Sequence, residues 1–434
     1  MSATVEVIIV LGVFLVLLSS GMGVPIAIAI PAVLFLFLEG GTVLLNSLGF
    51  ISWGSLNSFT LTAIPLFLLM AEILTASGLS NRIYEGLSKL VAPLPGGLMQ
   101  TNIAGCAVFA SVSGSSVATA ASIGRVALPQ LTSRGYSRRV SAGSLVAGGT
   151  LGILIPPSIP MIIYGTFTHT SVPQLFMAGL VPGLVLTFFF MLYIGAYALI
   201  YPESAPSEKR VGTVRELLRA IADTIPFIVL MGVTLGSLYG GYATTTEAAT
   251  IGCLCAVVLG YVFGDLKFSG VVKAIRNSIL ITGNILFLVL AAYILSAAIS
   301  LSGVGVDLVN AVHSLDLSRL EFIILLFVLY IVLGCFIESL GMIVLTVPLV
   351  FPMLSAYDID PLLFGVLLVV FVELAQMTPP MGMNLFIVQS IWDGKLKDVI
   401  IGALPFCLIT LFMAAILMAI PEIVLWLPSK MFVR

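Results

Sequence analysis

The chain has 434 residues, of which 60% are hydrophobic and 9% are charged, and its formal net charge at neutral pH is −2. A soluble domain of this length cannot keep so large an apolar fraction out of water, so the composition indicates a polytopic membrane protein. The nearly balanced charge makes no case for a nucleic-acid partner. The five cysteines lie in apolar stretches without metal-ligand spacing, so neither a disulfide framework nor a zinc site is expected.

Segments that cross about 30 Å of hydrocarbon need about 20 apolar residues. The first apolar run, Val5 to Leu18, follows no Lys or Arg and leads directly into a second run, so we expect a membrane helix there and no cleaved signal peptide. We predict membrane spans near residues 5–20, 24–38, 50–77, 172–200, 223–240, 243–264, 279–300 and 400–427. Two further apolar regions, 98–168 and 319–392, are interrupted by small residues and prolines.

The two interrupted regions repeat one another at an offset of 223 residues. In each copy a proline is followed 27 residues later by a Pro-Pro pair: Pro129 with 156–157, and Pro352 with 379–380. Helix-breaking residues are costly in a membrane unless the freed backbone groups find partners or line a wet cavity. The duplication therefore predicts two broken helices, the pattern that marks the binding site of a secondary transporter.

The charges around the two copies predict opposite orientations. Basic residues flank the first copy, namely Arg82, Lys89, Arg134, Arg138 and Arg139. They place both ends of 98–130 on the cytoplasmic side, so this segment must enter the membrane and turn back near 111–116. Acids flank the corresponding segment, about 319–355, namely Asp307, Asp316, Asp358 and Asp360. The sequence thus predicts two re-entrant hairpins that enter the membrane from opposite faces.

The turns and breaks are the expected binding elements, because free carbonyl oxygens and hydroxyls suit a desolvated Na⁺ while half-helix N-termini suit a carboxylate. In the first copy the candidates are Ser113, Ser115, Ser116, Gly149, Gly152 and Ser158. In the second copy they are Gly334, Glu338, Ser339, Ala375, Thr378 and Met381. The alternative for each small residue is that it only permits close helix packing.

Other buried polar residues allow two interpretations. Glu338 and Glu373 lie deep in apolar sequence, where an acid is either functional or neutralised in a packed interior. Gln376 and Asn384 could contact substrate or form interhelical hydrogen bonds. The two histidines stand alone and Ser115 has no evident base, so the sequence favours no enzyme.

Five motifs resemble the large membrane subunit of tripartite ATP-independent periplasmic (TRAP) transporters, in order and over nearly the whole chain. They span residues 64–67, 114–119, 152–158, 244–248 and 378–382. The resemblance implies an all-α, inverted-repeat, elevator-type transporter that takes up an organic acid across the bacterial inner membrane, driven by a sodium gradient. It also implies a periplasmic substrate-binding protein and a small four-helix membrane subunit, which we expect to be a separate polypeptide.

The resemblance places about two Na⁺ at the hairpin tips and broken helices, and it implies no organic cofactor. The sodium ligands expected from it are Ser113, Ser115 and Gly152 in the first copy, and Gly334, Ala375, Thr378 and Met381 in the second. To these we add their neighbours Gly149, Ser158 and Glu338. The residues expected to contact substrate are Ser116, Thr119, Arg125, Pro157, Ser339, Gln376, Pro380 and Asn384. The chain departs from the family pattern at Thr245, where proline is usual, and at Ala375, where glycine is common.

We accordingly divide the chain into six parts. They are the first scaffold and arm helices (1–97), the first transport segment (98–168), connecting helices with a cytoplasmic linker (169–240), the second scaffold and arm helices (241–318), the second transport segment (319–392) and a C-terminal helix (393–434). The alternatives are a stand-alone cation-coupled dicarboxylate or anion carrier of related architecture, a channel, or an intramembrane enzyme. Which acid is carried does not follow from these residues.

Overall fold

A computed structural model describes residues 3–91, 93–206, 213–380 and 382–431, with side chains from residue 9 onward. Met381 and the middle of the predicted linker, residues 207–212, lie outside these ranges. The described chain is helical and contains no β-strand, and nine of its helices are long and apolar enough to cross a membrane. The prediction of an all-α polytopic membrane protein is confirmed.

The first five helices are α1 (Ala3–Ser19), α2 (Val24–Leu45), α3 (Leu48–Leu56), α4 (Ala63–Ala76) and α5 (Leu79–Val91). The prediction of one continuous span over 50–77 is wrong at its start. Asn57 and Ser58 leave helical geometry, and a 3₁₀ turn over Phe59–Thr62 separates α3 from α4. Asn and Ser side chains compete for backbone hydrogen bonds, which favours such a break over helix continuation.

The first repeated region forms a hairpin of α6 (Leu98–Ser113) and α7 (Ser116–Ser133), followed by a helix that is broken into α8 (Arg138–Leu154) and α9 (Ile159–Thr168). Gly114 closes the hairpin turn with φ at 59°, a left-handed conformation that glycine adopts without steric cost. The side chains of Ser115 and Ser158 then cap α7 and α9 by accepting hydrogen bonds from Ala118 N and Met161 N.

The connecting helices are α10 (Val172–Ile200), α11 (Val214–Tyr239), α12 (Thr245–Val262), α13 (Phe268–Ser302) and α14 (Val304–His313). The predicted span near 223–240 starts earlier than expected, at Val214, where Thr213 caps the helix. The predicted span near 279–300 belongs to the 35-residue helix α13. Thr244 and Glu247 form a reciprocal capping box at the start of α12.

The second repeated region forms α15 (Arg319–Gly334), α16 (Ser339–Val350), α17 (Pro361–Met377) and α18 (Met383–Ser390). Its helix boundaries follow the sequence offset closely. Shifting α8 by 223 residues gives 361–377, which are the bounds of α17, and shifting the cap at Ser115 gives Glu338, the N-cap of α16. The Pro156-Pro157 and Pro379-Pro380 bonds are both cis.

The chain ends with α19 (Leu396–Ala419) and the short α20 (Glu422–Leu425). The predicted span near 400–427 is therefore wrong at its end, because the helix stops before Pro421. The centre of the molecule is formed by α8 and α17, in which every side chain from Val140 to Leu154 and from Leu363 to Met377 is buried.

Interhelical contacts place the open ends of the two hairpins at opposite ends of the molecule. Arg139 pairs with Asp398 beside the open end of the first hairpin, and the nitrogen–oxygen distance is 2.8 Å. At the other end the Tyr164 hydroxyl donates to Pro361 O over 2.7 Å, beside the open end of the second hairpin. The first end also carries the ion pair between Arg82 and Asp223. We call it the cytoplasmic end, following the charge prediction, and the other the periplasmic end.

Candidate functional site

Both hairpin tips face one cavity of about 380 Å³. The first tip contributes Ser113, Gly114 and Ser115, and the second contributes Glu338 and Ser339. The remaining wall belongs to α4 and α13, which we call the arm helices and whose lining residues include Glu72 and Asn284. The start of α9, at the first helix break, completes the lining with Ile159 and Pro160. The cavity is therefore bounded by both repeats and by the arm helices.

Three oxygen atoms lie close together at the first tip. The Ser113 hydroxyl is 2.6 Å from the Thr119 hydroxyl and 3.4 Å from Ser115 O. The Thr119 hydroxyl donates to Ser115 O over 2.8 Å. Ser113 and Thr119 are almost completely buried. A compact set of carbonyl and hydroxyl oxygens is the kind of ligand set that hard cations prefer, so these residues fit Na⁺.

Two glycines bring the first tip and the first helix break together. A Cβ atom on Gly152 would lie 2.6 Å from the Thr119 hydroxyl, and one on Gly114 would lie 2.9 Å from Pro157 O. Real Cβ atoms do not approach other atoms this closely, so neither position can hold a larger residue without a shift. Ile159 N also donates to Gly114 O over 3.3 Å. The hairpin turn is thus fixed directly to the broken helix.

Hydrogen bonds also join the first repeat to the second. The Ser116 hydroxyl donates to Gln376 Oε1 over 2.5 Å, and Asn384 Nδ2 donates to Val146 O over 3.4 Å. Within the described residues, Gln376 Nε2, Asn384 Oδ1 and both carboxyl oxygens of Glu373 are buried without a hydrogen-bond partner. Buried polar atoms without partners are uncommon and point to a ligand, a bound ion or ordered water nearby.

The second break is built differently from the first. A Cβ atom on Gly334 would collide with Ala375, so the end of α15 packs tightly on α17. The Thr378 hydroxyl donates to Leu374 O over 2.6 Å. Gln376 O and Thr378 O both approach Gly382, where an added Cβ would lie within 2.9 Å of each. Glu338 begins α16 without a side-chain cap, so the first N–H groups of α16 have no capping partner.

The other predicted site residues fall into three groups. Gly149, Pro157 and Ser158 are buried beside the first break; the Ser158 hydroxyl donates to Ile153 O. Arg125 and Pro380 are exposed and do not line the cavity. Met381 lies outside the described residues.

Sequence reasoning underrated the arm-helix residues of the cavity. Glu72 is an acid within an apolar stretch, but neither Glu72 nor Asn284 is among the site residues predicted from the sequence. Asn277 Nδ2 donates to Glu72 over 2.9 Å, which joins α13 to α4. The available signal was the spacing of seven residues between Asn277 and Asn284, which places both on one face of a long helix.

The described residues contain no group of three or more His, Cys, Asp or Glu side chains that could hold a metal ion together. The candidate cation ligands at the hairpin tips and helix breaks are instead backbone carbonyl oxygens and side-chain hydroxyls.

Comparisons with known proteins agree in one family. The family model described as "Tripartite ATP-independent periplasmic transporter, DctM component" matches residues 11–423. The C4-dicarboxylate TRAP transporter large permease protein DctM of Pseudomonas aeruginosa is 34% identical over 372 residues, which cover 86% of each chain. The ectoine TRAP transporter large permease protein TeaC of Halomonas elongata is 31% identical over 96% of this chain and 97% of its own.

The fold is also similar to that of a solved transporter structure. The YdaH transporter of Alcanivorax borkumensis matches with a TM-score of 0.64 over 90% of this chain and 89% of its own, at 15% sequence identity. At this identity the match supports the transporter fold alone.

Proposed function

The chain belongs to the DctM family of tripartite ATP-independent periplasmic transporters, and we propose that it catalyses sodium-coupled uptake of an organic acid by an elevator movement. The family consists of large permeases of multi-pass membrane transporters. In this proposal a periplasmic binding protein delivers the substrate, and a small membrane subunit completes the scaffold in the bacterial inner membrane.

The observation that carries the proposal is the shared cavity of about 380 Å³ between the two hairpin tips and the arm helices. The tips belong to inverted repeats, and the arm helices stand across the cavity from them. An alternating-access transporter of this type moves one bundle against another around a fixed site. A site at the boundary between the two bundles is where such movement can expose substrate to either side.

The substrate carboxylate has a suitable partner at the second tip. Ser339 and Leu340 form the first turn of α16 and line the cavity, and Glu338 leaves the N–H groups there uncapped. A helix N-terminus carries partial positive charge and free N–H donors, which together favour a carboxylate. We assign the carboxylate to this turn, with Ser339 as an additional hydroxyl contact.

The co-transported sodium ions fit the helix breaks. Ser113, Ser115 and Thr119 would hold one ion through the three oxygens at the first tip. We assign a second ion to the second helix break, where Gln376 O and Thr378 O both lie close to Gly382. A cation in either position offsets the negative charge of the acid, which makes occupancy by ion and acid mutually favourable.

Coupling between ion binding and substrate binding follows from the contacts that join the first hairpin tip to the two broken helices. Ile159 N bonds Gly114 O, and Ser116 bonds Gln376, so the first tip, the first break and the second broken helix are joined. Binding at one of these elements therefore restrains the others. We propose that the hairpins and broken helices move together as one body, while α4 and α13 remain in the scaffold.

Reconstitution into liposomes tests this proposal. The purified chain with its small subunit should take up radiolabelled acid only when its binding protein is outside and an inward sodium gradient is present. Uptake that proceeds at the same rate without sodium would contradict the coupling. Uptake at the same rate without the binding protein would instead support a stand-alone carrier.

A further inference from the structure

Arg125 lies on the same face of α7 as the residues that line the tip cavity. Ala118 and Ala121 contribute to the cavity, and Arg125 follows them by seven and four residues. Residues at these spacings share one helix face. Arg125 is thus one helical turn beyond the cavity, roughly 6 Å along the axis toward the cytoplasmic end.

The opposite wall carries a matching cation. On α13 the residues Ile281 and Asn284 line the cavity, and Lys273 lies eleven residues before Asn284, on the same face as that residue. Because α13 runs from the cytoplasmic to the periplasmic end, Lys273 is displaced in the same direction as Arg125, by roughly 12 Å from Ile281. Arg125 and Lys273 therefore both lie between the cavity and the cytoplasmic surface, one on α7 and one on α13.

Both cations are exposed and, in the part of the chain that the structure describes, neither forms an ion pair or a hydrogen bond. Two other cations at this end are paired: Arg82 with Asp223, and Arg139 with Asp398. An unpaired arginine within an intramembrane hairpin is costly in lipid, and such residues normally face a water-filled path. Cationic side chains along a water-filled path with low-dielectric walls raise the local concentration of anions in that path.

We propose that Arg125 and Lys273 form a release site for the acid, a second anion-binding position between the tip cavity and the cytoplasm. This inference rests on the proposed function. The acid leaves the uncapped turn of α16 and is bound next by the Arg125 guanidinium, which can contact a carboxylate through two N–H groups. Lys273 then attracts it further as a point charge. The site takes any small carboxylate, and it acts on the rate of release.

The test measures uptake by proteoliposomes that contain the chain and its small subunit, with binding protein and sodium outside. Arg125→Gln should lower the maximal uptake rate about three- to tenfold and leave the sodium concentration for half-maximal uptake unchanged. Arg125→Lys should recover most of the rate, and Lys273→Gln should give a smaller loss. Arg276→Gln is the matched control, because Arg276 is exposed on α13 but lies five residues before Ile281, on a different face of the helix, and it should leave the rate unchanged.

Ionic strength inside the liposome separates an electrostatic role from a structural one. Raising internal choline chloride from about 0.02 to about 0.3 M should shrink the deficit of Arg125→Gln, because salt screens charges over this range. A deficit that does not change with internal salt, or a full rate in Arg125→Gln, would overturn the release site. In that case unaltered dependence of the wild type on sodium and binding protein would leave the proposed function standing.

Discussion

Gly152→Ala provides the most direct test of the first cation site. The new methyl group would lie 2.6 Å from the Thr119 hydroxyl and 2.8 Å from Ser115 C, so the hairpin tip must move away from α8. Forcing one extra carbon into a tightly packed site typically costs about 1–3 kcal/mol. Because the strain falls on the residues that supply the three oxygens, we expect sodium binding to weaken by roughly 5- to 150-fold.

The assay is the sodium concentration that gives half-maximal uptake in proteoliposomes at saturating binding protein. Gly152→Ala should raise this concentration at least fivefold if the strain is about 1 kcal/mol. Overall folding should change less, because alanine is favoured over glycine within a helix by about 1 kcal/mol. A melting temperature measured without sodium therefore distinguishes local strain at the site from loss of fold.

Gly236→Ala serves as the control for this substitution. Gly236 is also helical, in α11, and a Cβ atom there would meet nothing within 4 Å. Its sodium dependence should match the wild type. If Gly152→Ala also retained wild-type sodium dependence, the close approach of α8 to the first tip would have no part in cation binding, and the assignment to Ser113, Ser115 and Thr119 would be wrong.

Three further substitutions test the surroundings of the site. Ser116→Ala should lower the free energy of unfolding by about 1–3 kcal/mol, because it leaves the buried Gln376 oxygen without a hydrogen-bond partner. A double-mutant cycle with Gln376→Ala should give a coupling energy of at least about 0.5 kcal/mol between the two side chains. Glu373→Leu should melt at the same temperature as the wild type or higher, because both oxygens of this buried carboxyl lack partners; a clear fall would reveal an unseen favourable contact. Arg139→Ala should cost less than about 1 kcal/mol in a melting experiment, since the Arg139 side chain is 59% exposed in its pair with Asp398.

The positions of the helix breaks could be predicted from sequence because proline and glycine act locally. Each Pro-Pro pair ends a helix wherever it lies, and the offset of 223 residues carried the boundaries of α8 directly onto α17. The N-cap positions of the two hairpins, Ser115 and Glu338, follow the same offset, although only Ser115 caps its helix through its side chain. The assignment of the cytoplasmic end stays a prediction from charge, since it rests on the Lys and Arg residues that cluster where the first hairpin opens.

The hydrogen bonds between side chains on separate helices could not be predicted from local sequence patterns. The bonds from Ser116 to Gln376 and from Asn277 to Glu72 join residues that are 260 and 205 positions apart. Such pairs depend on how separate helices pack, and no local pattern encodes them. The break after Leu56 was missed for a related reason, because Asn57 and Ser58 interrupt an apolar run without any proline or glycine there.

The two repeats share their backbone offset but differ at the tips, and this difference bears on which ligand each tip holds. The first turn is short, is closed by left-handed Gly114 and is bonded to the broken helix by Ile159, so its oxygens are fixed close together. The second turn is longer: α15 ends at Gly334, Phe336 is 67% exposed, and Glu338 provides no side-chain cap. A fixed oxygen set favours a small cation, whereas an uncapped helix start favours an anion of variable shape. On this argument we propose that the duplicated fold binds sodium most firmly at its first tip and the acid at its second. A substitution that tightens the second turn should then narrow the range of acids transported before it alters sodium dependence.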